Sequence, residues 1–233
     1  MSRLEQFLEV KNSTETSVDL HFYGDIVSDW MDAWTSEDKY PSIIKNFLGN
    51  AKGKDLNIYI NSAGGSVFAG MAIYNMLKRH TGHKKVIVDG LAASISSVIA
   101  LAGDEIEVPE NAYIMIHKPW CSCQGNSDDF KARYEMLEKT EEGIVSVYKE
   151  NMVDGIEIDD IRNMMKEETW MTGNEASKVF KKISVSKPLD VLNCVSDIEF
   201  RNIPESIKNV KDALDEEKEQ EEIEKIMMEI ELL

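Results

Sequence analysis

Apolar and polar positions along this chain alternate in two rhythms, and the switches between them mark its elements. From Val18 to Tyr23 the run VDLHFY has a period of two and ends in Gly24-Asp25, which predicts a strand closed by a turn. Leu56 to Ile60, LNIYI, is a second short strand, bounded by AKGKD and by Asn61-Ser62. After Gly64-Gly65 the rhythm changes: Val67, Met71, Tyr74 and Leu77 recur at helical spacing in SVFAGMAIYNMLKRH, which stops at Gly82. KKVIVDG reads as a strand, SISSVIALAG as a buried helix, and DEIEV and NAYIMIH as two more strands joined by Pro109-Glu110-Asn111. Strands interleaved with helices of this length predict an α/β fold with right-handed crossovers.

The second half is helical. From Asp128 to about Met152, Phe130, Tyr134, Leu137, Ile144 and Tyr148 return on one face, a long amphipathic helix with Ser127 as its N-cap. DDIRNMMKEE predicts a shorter helix, and Thr172 with Glu175 three residues on forms a capping box for NEASKVF. From Pro204 onward eleven Asp and Glu stand against four Lys, a net charge of -7 over thirty residues. Ile223, Ile226, Ile230 and Leu233 follow a three-four spacing there, which suits a coiled-coil stripe, a docking helix or a solvated tail alike.

Composition narrows the class. With 233 residues and 42% hydrophobic positions the chain can bury one sizeable core, so residues 1–200 are expected to form one domain and 201–233 an acidic helical extension. A formal charge of -17 disfavours a nucleic-acid binder, because phosphate contacts call for a Lys/Arg surface. There is no run of about 18 apolar residues, and the segment MSRLEQFLEVKNSTETS lacks the apolar stretch of a signal peptide, so a cytoplasmic protein without membrane contact is expected. Cys121, Cys123 and Cys194, an odd count, are expected to be reduced thiols. His80 and His83 stand three apart in RHTGHKK without a nearby thiol or carboxylate, a pattern of a solvated helix end rather than a metal site.

Four separated blocks carry chemistry: NSAGGSVFAG, GLAASISS, YIMIHKP and EETWMTGNEA. Gly64-Gly65, at the end of a strand, can present backbone N–H groups without side-chain obstruction. Ser94, flanked by Ala92 and Ala93 at a strand-to-helix junction, can project its hydroxyl from a crowded turn, although the pattern is not a G-x-S-x-G elbow. Ser96 and Ser97 compete with it, but their helical setting favours hydroxyls bonded back to the preceding turn. His117 ends an apolar strand before Lys118-Pro119, and Glu168 precedes a helix start. Nucleophile, base, orienting carboxylate and exposed N–H groups are the parts that acyl transfer needs.

The strings YINSAGGSVFAGMAIYNML, GLAASISS and NAYIMIHKPW stand in the order and at the spacing of the Clp protease proteolytic subunit family, which the chain resembles over roughly residues 54–180. The resemblance implies a Clp/crotonase-type superhelical α/β spiral of strand-strand-helix units, with the helix at 128–152 as a protruding handle, and homo-oligomeric rings of seven, single or doubled. It implies Ser94 as nucleophile, His117 as general base, and the N–H groups of Gly65 and Ile95 as the oxyanion hole of a serine endopeptidase that needs no cofactor or metal. Where the family has Asp two residues before an aromatic, this chain has Glu168 before Thr169 and Trp170, with Glu167 as a neighbouring competitor. After Phe180 the chain reads KKISVSKPLDVL where the housekeeping Clp peptidases carry a Gly-Leu-(Val/Ile)-Asp turn, while the charged start, HFYGDIVSDW and the acidic tail are similar to phage head maturation proteases of the same fold, which act on capsid and scaffold proteins without an unfoldase. Three other readings stay open. They are a proteolytic subunit working with an ATP-driven unfoldase, an acyl-CoA enzyme of the same fold, and a non-catalytic scaffold.

Overall fold

The computed structural model describes residues 14, 16–29, 31–33, 38–188, 200 and 202–204. The acidic extension expected at 201–233, its isoleucine stripe and Cys194 therefore lie almost wholly outside the described residues. The elements run β1 (Ser17–Tyr23), α1 (Pro41–Ala51), β2 (Asp55–Ser62), α2 (Val67–Arg79), β3 (Lys84–Ala93), α3 (Ile95–Ala100), β4 (Glu105–Pro109), β5 (Tyr113–Ile116), α4 (Ser127–Asn151), α5 (Ile158–Lys166), β6 (Thr169–Thr172), α6 (Gly173–Val179) and β7 (Ile183–Ser186). The expected α/β architecture is present: one sheet, parallel in every pairing except β5 with β6, with strands and helices alternating along its first half.

The sheet order is β1-β2-β3-β4-β7, and β3 is shared by two neighbours. Its first half, Lys85 to Ile87, pairs with β4, and its last three residues, Leu91 to Ala93, pair with β5. The two strands read around Pro109 thus follow one another along β3 instead of pairing together. The period-two pattern explains the layering. Val18, Leu20 and Phe22 of β1, Leu56, Ile58 and Ile60 of β2, and Val86 and Val88 of β3 are buried in the core with the apolar faces of α1, α2 and α3. Alternate positions carry polar groups that find each other: the Tyr23 hydroxyl donates to Asp89, Asn57 to Asp19, and Lys85 pairs with Glu107. A parallel sheet usually reads as continuous apolar runs because both faces are covered. Here paired polar side chains take the place of a second apolar layer.

Two sequence expectations need correction. The N-cap of α4 is Asn126, not Ser127: its side chain accepts the N–H groups of Asp128 (2.8 Å) and Asp129 (3.3 Å), and Asp129 answers by accepting the Asn126 N–H. An asparagine one residue earlier completes a reciprocal box, which Ser127 cannot. His80 is a half-buried C-cap of α2 whose Nε2 lies 2.7 Å from the Lys54 carbonyl, so the helix end is anchored, not merely solvated. The box of Thr172 and Glu175 forms as expected, and its hydrogen bonds hold the Glu175 carboxyl below its ordinary range. Among the described residues no cluster of His, Cys, Asp and Glu could hold a metal ion, and no helix is long and apolar enough to cross a membrane.

Candidate active site

The site forms where β2, β3 and β5 end together. Ser94 occupies the one residue between β3 and α3, with φ 54° and ψ -127°, a conformation that L residues rarely adopt and that costs of order 1–3 kcal/mol. Neighbours hold it there. Its N–H donates to the Met115 carbonyl of β5 (2.9 Å), and its own carbonyl accepts the Ser97 N–H (3.1 Å) and the Ser97 hydroxyl (2.5 Å). A serine at a helix N-cap normally turns its hydroxyl onto the helix N–H groups. Ser94 makes no such bond; its Oγ lies 2.7 Å from His117 Nε2 instead.

The competing serines are committed elsewhere. Ser96 is fully buried, and its hydroxyl donates to the carbonyls of Ala93 (2.6 Å) and Ser62 (2.8 Å). Ser97 bonds back to Ser94 and meets the Tyr148 hydroxyl of α4 at 2.8 Å. Burial pushes the Tyr148 phenol well above its ordinary range, so this contact stays uncharged. Both hydroxyls bond back one turn, as the helical setting suggested. The role of Tyr148 as a prop under the Ser94 turn was not evident from sequence, where it was one apolar position among five on a helix face.

The glycine pair is explained by proximity. A Cβ on Gly64 (φ 103°) would stand 2.7 Å from the Ser94 Cβ and 3.1 Å from the Ile95 nitrogen, so only glycine lets this loop approach the serine. Gly65 (φ 133°) backs onto the Ile26 carbonyl, which a side chain would strike. The loop is pinned from behind: the Ile26 N–H donates to the Gly64 carbonyl and the Ser66 N–H to the Ile26 carbonyl, both at 2.7 Å. Ser66 then caps α2. Among the described residues the N–H groups of Gly65 and of Ile95, the first residue of α3, are left without an acceptor.

Glu168 enters from the opposite strand. Ile116 and Thr169 form the last pair between β5 and β6, so His117, just after it, and Glu168, just before it, flank the same end of the ladder. Glu168 is half-buried with φ 51°, at the point where α5 turns into β6, whereas Glu167 is the exposed C-cap of α5. The two carboxylates that the sequence left in competition thus differ in setting: Glu168 is half-buried just before β6, and Glu167 is exposed at the end of α5. The thiols of Cys121 and Cys123 are free, in the loop between β5 and α4.

Residues 36–179, more than half of the chain, match the profile of the Clp protease family. The chain belongs to that family. Its mixed α/β architecture, a largely parallel sheet with helices, is that of the Clp/crotonase-type fold. The ATP-dependent Clp protease proteolytic subunit of Bacteroides fragilis is 31% identical over 128 residues, 54% of this chain and 61% of that protein. The subunit of Ligilactobacillus salivarius is 36% identical over 126 residues, 53% and 62% of the two chains, and that of Porphyromonas gingivalis 36% over 130 residues, 53% and 56%. The aligned part thus spans about three-fifths of these Clp relatives.

Proposed function

We propose that this chain is a serine endopeptidase in which Ser94 attacks a peptide carbonyl, His117 takes the hydroxyl proton and then delivers it to the leaving amine, and Glu168 orients the imidazole. The observation that carries the reading is the 2.7 Å approach of His117 Nε2 to the Ser94 hydroxyl, on a turn strained enough to present that hydroxyl outward. Ile95 follows that serine and Gly65 follows Gly64, which packs against it, so their unengaged N–H groups are the candidates for the donors an oxyanion needs. No step calls for a metal or a cofactor. Phe68, just past the glycine pair, and Trp120, three residues past His117, expose apolar side chains suited to a peptide substrate.

The relatives named above are proteolytic subunits of ATP-dependent proteases, which supports the same role here, in the cytoplasm, over the processing of phage capsid or scaffold proteins. A homo-oligomeric ring is part of that proposal. An acyl-CoA enzyme or an inert scaffold would have no use for a serine held against a histidine in this way. A fluorophosphonate probe on the full chain tests the chemistry: modification mapped to Ser94 by peptide mass is the expected result, and modification elsewhere or none overturns it. Degradation of a folded protein only with an ATP-driven unfoldase present would support the proteolytic-subunit role. Cleavage of capsid or scaffold protein without one would favour head maturation.

A further inference from the structure

Directly behind the site, three elements meet at one buried carboxylate. The Glu141 side chain, on α4, is 7% exposed; its Oε2 pairs with Lys118 Nζ at 2.9 Å and its Oε1 with Arg162 Nη1 at 3.3 Å. Lys118 is the residue after His117, and Arg162 lies on α5, the helix that delivers Glu168. Arg162 is held from its other side by Glu142, whose two oxygens lie 2.7 and 2.8 Å from Nη2. The backbone repeats the tie: the Met165 carbonyl, near the end of α5, accepts the N–H of Lys118 (3.1 Å) and that of Glu168 (3.3 Å). The residue beside the base and the proposed acid thus hang from a single carbonyl. Glu141 clamps the two strands of chain on which they sit.

We propose that Glu141 is a positioning residue: by bridging Lys118 and Arg162 it fixes the end of β5 that carries His117 against the end of α5 that carries Glu168. The inference rests on the serine–histidine reading of the site. A carboxylate withdrawn this far from water is unfavourable unless both cations are present, so the three side chains have one satisfied arrangement and hold one another in it. Alignment matters because reacting groups misplaced by about 1 Å lose on the order of a hundredfold in rate. Loosening the clamp should therefore act on kcat, not on substrate binding.

In the full-length protein Glu141→Gln keeps the shape of the side chain and removes its charge. The expected result is a kcat for peptide hydrolysis lower by about tenfold, with KM unchanged and labelling of Ser94 by a fluorophosphonate slowed to the same extent. Glu141→Asp, which keeps the charge on a shorter arm, should recover part of that loss. Wild-type kcat in Glu141→Gln, even with a lowered melting temperature, would reduce Glu141 to a stabilising contact and overturn the proposal. Lys118→Met provides the second arm if Glu141→Gln fails to fold, since the lysine head is 45% exposed. It should also lose kcat, and Lys118→Met/Glu141→Gln should be no slower than the worse single variant; losses that multiply would overturn the clamp. A Ser94→Ala control separates the two levels: full cleavage by that variant sinks the hydrolase reading itself, whereas an inactive Ser94→Ala beside a fully active Glu141→Gln sinks only the positioning role.

Discussion

At the junction of β3 and α3 the described side chains are buried and tied to one another; along the outer half of α4 they stand exposed. In the first region Ser96 and Ser97 are bonded on two sides each, and among the described residues the Gly65 and Ile95 N–H groups are left over, near a serine whose hydroxyl faces a histidine. In the second, every residue from 127 to 135 is exposed, and Phe130 and Tyr134 show 53% and 62% of their surface. The inner half of the same helix buries Ile144, Val145, Val147 and Tyr148. Under the proposed mechanism the chemistry is assembled within one chain, and under the proposed ring the exposed aromatic half of α4 meets something outside it. We take that to be a second copy, as the ring proposal requires. The two regions should then fail independently, and variants can be chosen to break each alone.

The largest effect belongs to the first region. Ser94→Ala removes the attacking oxygen and leaves a small residue at the turn, so peptide hydrolysis should fall by at least about a thousandfold while the assembled mass stays unchanged. A Ser94→Ala protein that also fell apart would show that site and assembly are not separate. Glu168→Gln comes next: a residue that only orients the imidazole should be felt less, by about a hundredfold, and Glu167→Gln hardly at all. If the order of those two carboxamide variants were reversed, the acid would be Glu167.

The second region is broken by Phe130→Ser with Tyr134→Ser. Neither side chain supports its own chain's core, so the monomer should fold with an unchanged circular dichroism spectrum. The oligomer should dissociate at protein concentrations at least about tenfold higher than wild type, read by sedimentation, because each buried aromatic contributes about 1.5–3 kcal/mol. Wild-type assembly in the double variant would mean that the exposed aromatic half of α4 is not the contact surface.

Much of this contrast was legible beforehand, for physical reasons that differ by element. The buried faces of β1, β2 and α2 announce themselves because alternation and three-four spacing are direct consequences of one-sided burial. Ser94 was singled out from its neighbours because Ser96 and Ser97 fall inside a helical run, where back-bonding to Ala93 and Ser94 satisfies them. Other features were hidden. α1 went unread although Pro41 opens it and Ile43, Ile44 and Phe47 line its buried face, since the preceding sequence SDWMDAWTSEDKY follows neither rhythm. β7 was hidden in KKISVSKPLDVL because four residues are too few to show a period, and its partner β4 is 77 residues away in register, with Val185 beside Val108. The pairing of Glu141 with Lys118 and Arg162 cannot be read from spacing at all: 23 and 21 residues separate the partners, and only the packing of α4 and α5 behind β5 brings them together.

The smallest predicted effect sits where the two regions meet, at the hydroxyl of Tyr148. That group is the only polar contact from the inner half of α4 to the Ser94 turn that the structure shows among the described residues, reaching it through Ser97. Tyr148→Phe removes one buried hydrogen bond and leaves Ser97 its bond to Ser94, so stability at neutral pH should drop by only about 1 kcal/mol. The sign changes in alkali. Burial raises the folded phenol above its ordinary range, so its contribution is complete below the unfolded value of about 10 and is lost as pH climbs toward the folded one, because only the unfolded chain gives up the proton. Phenylalanine has no such proton to lose. Urea unfolding of the two proteins should therefore show wild type ahead at neutral pH, and the gap closing or inverting by about pH 11. A gap that stayed constant across that range would mean that Tyr148 titrates alike in both states, and that the prop beneath Ser94 is wetter than its burial indicates.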